Sequence, residues 1–380
     1  MLFRSLAAAV SLAVAVMAQS FKEAQNFLTP TLLVLIVPAT IASTPGIELD
    51  PFFALVPGMN TALLTKALLL GEAKLELVFA VIGSNLIFAA LALLFAARNF
   101  SSEAVLFGGA AGRRFAALRL VAKGSGRRVT PGESFFFFAF SFVLLWYAGQ
   151  LVQRWEPLAG LLVTQWGLLL VPVVGFALLR KLDLRATVRL RLPSPRALLS
   201  VVAIGAALPF VILAISWAQD LVLPTPASLQ EAMRTLFVEG RERMGDAMVF
   251  FVVAVTPAVC EEAVFRGLIL DGFANRFSKV GAIVIISVLF GAFHLSIYRF
   301  LPTALAGAVL TYVALETGSI VASLLTHAIY NGLLLAASLY LPSTFAPPAW
   351  AIAAAAVVLA LGLWLVRGDR RTPFHLAARP

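Results

Sequence analysis

Residues 247–269 read AMVFFVVAVTPAVCEEAVFRGLI, a largely apolar run that carries Glu261, Glu262 and Arg266 in its second half. About 20 apolar residues suffice to cross the hydrocarbon core of a bilayer as a helix, so the run is expected to span. Charged groups are costly there, about 2.5 to 3.5 kcal/mol each near mid-span on insertion scales, and normally face protein, a partner or water. Helical periodicity sorts them. Glu262 and Arg266 stand at i, i+4 with the acid first, the order that favours a same-face ion pair. Glu261 is turned by about 100° from Glu262 and can point elsewhere. A structural ion pair between helices and direct participation in chemistry are both open readings of Glu262 with Arg266.

Similar runs lie near 28–45, 76–97, 134–152, 158–179, 198–217, 281–297, 301–315, 318–340 and 349–366. Together they make ten candidate spans, with residues 5–18 as a weaker eleventh. The fold class is therefore all-α, a polytopic transmembrane helical bundle of about 10 to 11 spans. Composition agrees: 61% of the 380 residues are hydrophobic and 13% charged, with mean hydropathy +0.95, against roughly 25% charged in soluble chains.

A formal net charge of +10 would suit nucleic acid, but Lys and Arg gather in short loops between apolar runs, as membrane orientation requires. Nucleic acid is not expected as a partner. Cys260 is the only cysteine, which excludes an intrachain disulfide and a Cys-based zinc site.

Two connecting stretches are basic. Residues 98–133 hold Arg98, Arg113, Arg114, Arg119, Lys123, Arg127 and Arg128, and residues 180–196 hold Arg180, Lys181, Arg185, Arg189, Arg191 and Arg196. Both are expected on the cytoplasmic side. Two spans separate them, and six more bring Arg367, Arg370 and Arg371 back to that side. The mixed-charge stretch 218–246 is then a loop on the opposite side. Arg4, an apolar stretch and Val16-Met17-Ala18 resemble a secretory signal peptide, yet cleavage would strand the 98–133 stretch outside. An uncleaved first span preserves the parity.

Two further spans carry histidine: Phe290-Gly291-Ala292-Phe293-His294 and His327-Ala328-Ile329-Tyr330-Asn331. His327 and Asn331 share a helix face. An interhelical hydrogen bond is the plain account of a lone intramembrane His or Asn, and apolar packing that of Phe290. His375, in the basic tail, reads as solvated. What favours chemistry is convergence: two acids, one Arg, two His and one Asn fall between 261 and 331 of a chain poor in polar groups.

The blocks Glu-Glu-x-x-x-Arg (Glu261, Glu262, Arg266), Phe-x-x-x-His (Phe290, His294) and His-x-x-x-Asn (His327, Asn331), in this order on separate apolar segments, resemble the CPBP or Abi family, which includes the CAAX prenyl endopeptidases. The resemblance spans about 130–345. It implies an intramembrane endopeptidase in a bacterial inner membrane, acting on a membrane-associated protein or peptide. It further implies that Glu261 and His294 activate water, that His327 and Asn331 stabilise the oxyanion, and that Glu262, Arg266 and Phe290 support them. The chemistry is sensible in itself, since hydrolysis needs a base for water and donors where negative charge develops.

Glu261, His294 and His327 could also make a His₂Glu zinc site with water in the fourth position, and members of that family have been described both as metalloproteases and as metal-independent glutamate proteases. Zincin spacing is absent, and Asn331 is a poor zinc ligand. A metal-free site is favoured, with zinc as the alternative cofactor.

Residues from about Ser20 to Phe107, including Ser20-Phe21-Lys22-Glu23-Ala24-Gln25 and Pro45-Gly46-Ile47-Glu48-Leu49, are similar to the last part of sodium-efflux-type ABC permease subunits. No Walker A pattern occurs in the sequence, so an ATPase would be a separate partner. The expected organisation is permease-like spans over 1–110, a basic linker over 111–133, a catalytic bundle over 134–345, and a last span with a basic tail over 346–380. Besides the protease, a non-catalytic membrane protein of bacteriocin-immunity or scaffold type and an accessory subunit of an ABC exporter stay open as readings.

Overall fold

The computed structural model describes residues 2–16, scattered positions between 18 and 42, 47–100 except 52, and 128–367 except 150, 151, 153–155, 275, 295, 343 and 344. Most of the run near 28–45, Ser20-Phe21-Lys22-Glu23, Pro45-Gly46, the basic residues between 101 and 127, and the tail with Arg370, Arg371 and His375 lie outside the described residues. Those described form helices and turns, with no strand among them.

The chain divides into two compact units, residues 1–124 and 125–380. In the first, α1 covers Leu2–Ala15, α2 Met59–Leu70 and α3 Leu75–Phe100. Buried Asn60 on α2 donates from Nδ2 to Ser84 Oγ on α3 at 3.0 Å and to the Ala54 carbonyl at 3.2 Å. An apolar cluster of Ala54, Leu64 and Val81 packs beside it.

The second unit holds α4 (Pro131–Leu144), α5 (Pro157–Leu179), α6 (Pro195–Asp220), α7 (Leu229–Ala274), α8 (Lys279–Phe293), α9 (Ile297–Thr317), α10 (Ile320–Tyr340) and α11 (Ala349–Val366). Among the described residues seven helices are long and apolar enough to cross a membrane, namely α3, α5, α6, α7, α9, α10 and α11, while α1, α2, α4 and α8 are shorter apolar helices. The molecule is thus a polytopic helical bundle. Of the expected runs, those near 134–152 and 281–297 correspond to the shorter α4 and α8.

One expectation is corrected. The stretch 218–246, read as a loop from its charges, is largely helical, because α7 begins at Leu229 and runs to Ala274. Gly245, at φ 78° and ψ 163°, breaks its course. That left-handed conformation is accessible to glycine at little cost, and it separates a charged segment from the apolar one that carries the acids.

Local chemistry sets the helix ends. At α4, Thr130 and Glu133 form a reciprocal capping box and Pro131 occupies the first turn, where its missing N–H costs nothing. Ser194, Ser278 and Ser319 cap α6, α8 and α10 by accepting a backbone N–H. Pro172 and Pro257 fall inside apolar helices, and each is preceded by a widened π-helical turn, Val163–Leu170 and Phe251–Val255. A proline removes one ladder donor and clashes with the preceding turn, so the widening accommodates it.

Residues 128 and 129 of the first basic stretch and Arg189 of the second meet at one acid. Asp271, buried at the end of α7, accepts from Arg189 Nη2 at 2.7 Å and from the Val129 N–H at 3.2 Å, with Arg128 at 3.9 Å. Residues 128 and 189 therefore share one end of this bundle, as the orientation argument expects. Burial lowers the Arg189 guanidinium from its usual range to about 10, against the attraction of Asp271. The strap continues as the Ile320 N–H donates to the Arg189 carbonyl at 3.2 Å and Ser319 donates to the Arg191 carbonyl.

Candidate active site

Glu261 and Glu262 stand ten and nine residues before Asp271 along α7, in and beside the apolar part of that helix. Glu262 and Arg266 are sealed off, at 0% and 1% exposure. Arg266 Nη1 donates to Glu262 Oε1 at 2.8 Å, Nη2 to the Gly307 carbonyl at 2.8 Å, and Nε to Thr311 Oγ1 at 3.3 Å. Both latter groups belong to α9, so the guanidinium pins α7 to α9 with each of its nitrogens engaged. The same Glu262 Oε1 meets His327 Nδ1, from α10, at 3.0 Å.

Glu261 takes a different direction, as the helical period requires. It accepts a hydrogen bond from Gln165 Nε2 on α5 at 2.8 Å and keeps 8% of its surface. Its charge acts electrostatically on His294 and on Arg266. One carboxylate is therefore held through its Oε1 by two charged or polar partners, and its neighbour carries a single neutral donor.

His294 caps the C-terminal end of α8, where its Nδ1 lies 2.8 Å from the Phe290 carbonyl. Phe290 is the hub between the blocks. Its ring is 5.0 Å from His294 and 6.0 Å from His327, edge-on to both, and the Arg266 guanidinium lies 4.5 Å from its centroid. With 2% exposure it packs inside the site and not against lipid. Gly307 leaves room for it: a Cβ there would stand 2.9 Å from Phe290 Cδ1. Asn331, one turn beyond His327 on α10, is half-buried.

The tautomers follow from the partners. Carbonyl and carboxylate oxygens only accept, so each Nδ1 carries the proton, and each Nε2 of a neutral ring holds a lone pair. His294 is thereby disposed to receive a proton at Nε2. His327 can donate from Nε2 only when doubly protonated, a charge that would share the Glu262 carboxylate with Arg266.

Among the described residues no three His, Cys, Asp or Glu side chains are grouped so as to hold a metal ion. Glu261, His294 and His327 are not so grouped in this arrangement.

Sequence reasoning missed Gln165 and Thr311. Each has a signal: Thr164-Gln165-Trp166 and Thr311-Tyr312 interrupt apolar spans. Without a motif or a charge, neither interruption indicated what it would meet.

Residues 243–333 match the family described as type II CAAX prenyl endopeptidase, Rce1-like. The matched segment runs from the charged part of α7 to Leu333 on α10 and contains all three blocks, whereas Gln165 lies outside it. No curated protein and no solved structure matches the chain.

Proposed function

We propose that the chain is an intramembrane endopeptidase that hydrolyses a peptide bond of a membrane-associated protein or peptide in a bacterial inner membrane. The observation that carries this reading is the division between two adjacent carboxylates. Glu262 is fixed by Arg266 and His327, while Glu261 is left with one amide donor and residual access. A purely structural cluster has no use for the second buried acid, since an ionised group in such surroundings is costly.

In this mechanism Glu261 accepts a proton from water as the water oxygen attacks the scissile carbonyl carbon, with His294 Nε2 as a second acceptor. His327 and Asn331 donate to the oxyanion. The carbon–nitrogen bond then breaks, and the proton held by Glu261 passes to the leaving amine. Non-helical substrate backbone at this depth is tolerated only within a protein-lined cavity. The reading requires no metal ion.

The test is a comparison of peptide termini in membranes from cells expressing the wild type and Glu261→Gln at equal levels. New termini present only with the wild type are expected. Identical termini in both would overturn the reading and favour an immunity or scaffold protein.

A further inference from the structure

Gln165 is 5% exposed on α5, within the π-helical turn Val163–Leu170 that precedes Pro172. Its Nε2 donates to Glu261 Oε1 at 2.8 Å. Its Oε1 is buried and has no hydrogen-bond partner in the protein. An ionised carboxylate only accepts, so Gln165 must present its NH₂ group and not its oxygen to Glu261 Oε1. Buried acceptors nearly always have a partner, and an exception calls for a ligand or water to supply the donor. Neighbouring Trp166 is already engaged, its Nε1 donating to Thr256 Oγ1 at 3.4 Å.

We propose that Gln165 is a positioning residue for hydrolysis: its Nε2 holds Glu261, and its Oε1 accepts a hydrogen bond from the attacking water. The inference rests on the endopeptidase reading. A water between them gives one hydrogen to the Glu261 carboxylate and the other to Gln165 Oε1, which leaves an oxygen lone pair for the substrate carbonyl. In the attack only the hydrogen on Glu261 is transferred; Gln165 exchanges none. The charged and titratable groups around Glu261 are Cys260, Glu262 and Arg266 on α7, His294 on α8 and His327 on α10; of these His294 Nε2 is the other neutral acceptor, and it takes the hydroxyl proton once the water oxygen has added to the carbonyl carbon. The π-helical turn suits such a role, because these widenings recur at functional sites.

The full-length protein in nanodiscs is assayed with a fluorogenic peptide built on a cleavage site recovered in the comparison of termini. Gln165→Met, which keeps volume and removes the amide, is expected to lower kcat about tenfold or more with KM within about twofold, as for a misplaced reactant. The infrared carboxylate band of Glu261, identified as the one lost in Glu261→Gln, is expected to shift in Gln165→Met without any substrate. Gln165→Asn, which retracts the amide by one methylene, should give the same signature if Gln165→Met folds poorly. Unchanged kcat, or a lowered kcat with that band unmoved, would overturn the proposal and leave Gln165 a clamp between α5 and α7. Cleavage by Glu261→Gln would instead remove the endopeptidase reading, and this inference with it.

Discussion

Glu262 and His327, 65 residues apart in sequence, meet through Oε1 and Nδ1 at 3.0 Å, on the same oxygen that binds Arg266 Nη1 at 2.8 Å. One carboxylate oxygen thus fixes the position of a histidine on α10 and of a guanidinium that reaches α9. That acid ties α7 directly to α10 and, through Arg266, to α9.

Arg266→Ala should therefore destabilise the fold before it affects chemistry. Removing one partner of a buried ion pair costs about 3 to 5 kcal/mol, because the other charge is left uncompensated. The expected result is less extractable protein and a lower unfolding temperature in detergent. Glu261→Gln, which breaks no ion pair, should unfold close to the wild type.

At the basic end of the bundle, Asp271→Asn should loosen the strap. The carboxylate gathers Arg189 and the Val129 N–H, and hydrogen bonds to charged groups contribute about 1.5 to 3 kcal/mol each. Burial lowers the Arg189 guanidinium only to about 10, so its charge persists through neutral pH and the destabilisation should be the same at pH 6 and pH 8. Limited proteolysis around residues 128 and 189 provides the measurement, with faster cleavage expected in the variant.

Gly307→Ala tests the hub. The added methyl would meet Phe290 Cδ1 at 2.9 Å and Cβ at 3.2 Å, closer than side chains normally pack, so the ring must move. Overpacking of this kind costs about 1 to 3 kcal/mol. Because the same ring lies against both histidines, peptide cleavage should fall more than stability does. A variant with lowered stability and undiminished kcat would separate Phe290 from the chemistry.

Much of this was legible in the sequence, for identifiable reasons. Glu262 with Arg266 was readable because i, i+4 spacing fixes a shared face, and Glu261 pointing elsewhere follows from the same period. The convergence of α7, α8 and α10 rested on the cost of isolated polar groups in lipid. Two features resisted. Gln165 is uncharged and lies 96 residues from its partner, so no local period links them. The helical start of α7 was masked by its charges, which argue for water but not against a helix exposed to it.

The catalytic series separates the roles within one assay. Glu261→Gln and His294→Ala should each abolish cleavage while the protein stays inserted, because they remove proton acceptance from the water. His327→Ala should abolish it too, since its ring is both a donor and the partner of Glu262. Asn331→Ala should leave measurable activity, as loss of one oxyanion donor costs about 2.7 to 4 kcal/mol, or about 10² to 10³ in kcat. Exhaustive chelation should leave wild-type activity in place, and elemental analysis should find no stoichiometric zinc. With His ligands holding a zinc ion, chelation would silence the enzyme and the two histidine variants would lose bound metal. Among the described residues no three ligand side chains are grouped to hold a metal, which favours the first outcome. Loss of activity on chelation, restored by zinc alone, would require His294 and His327 to regroup around a metal and would overturn the metal-free mechanism.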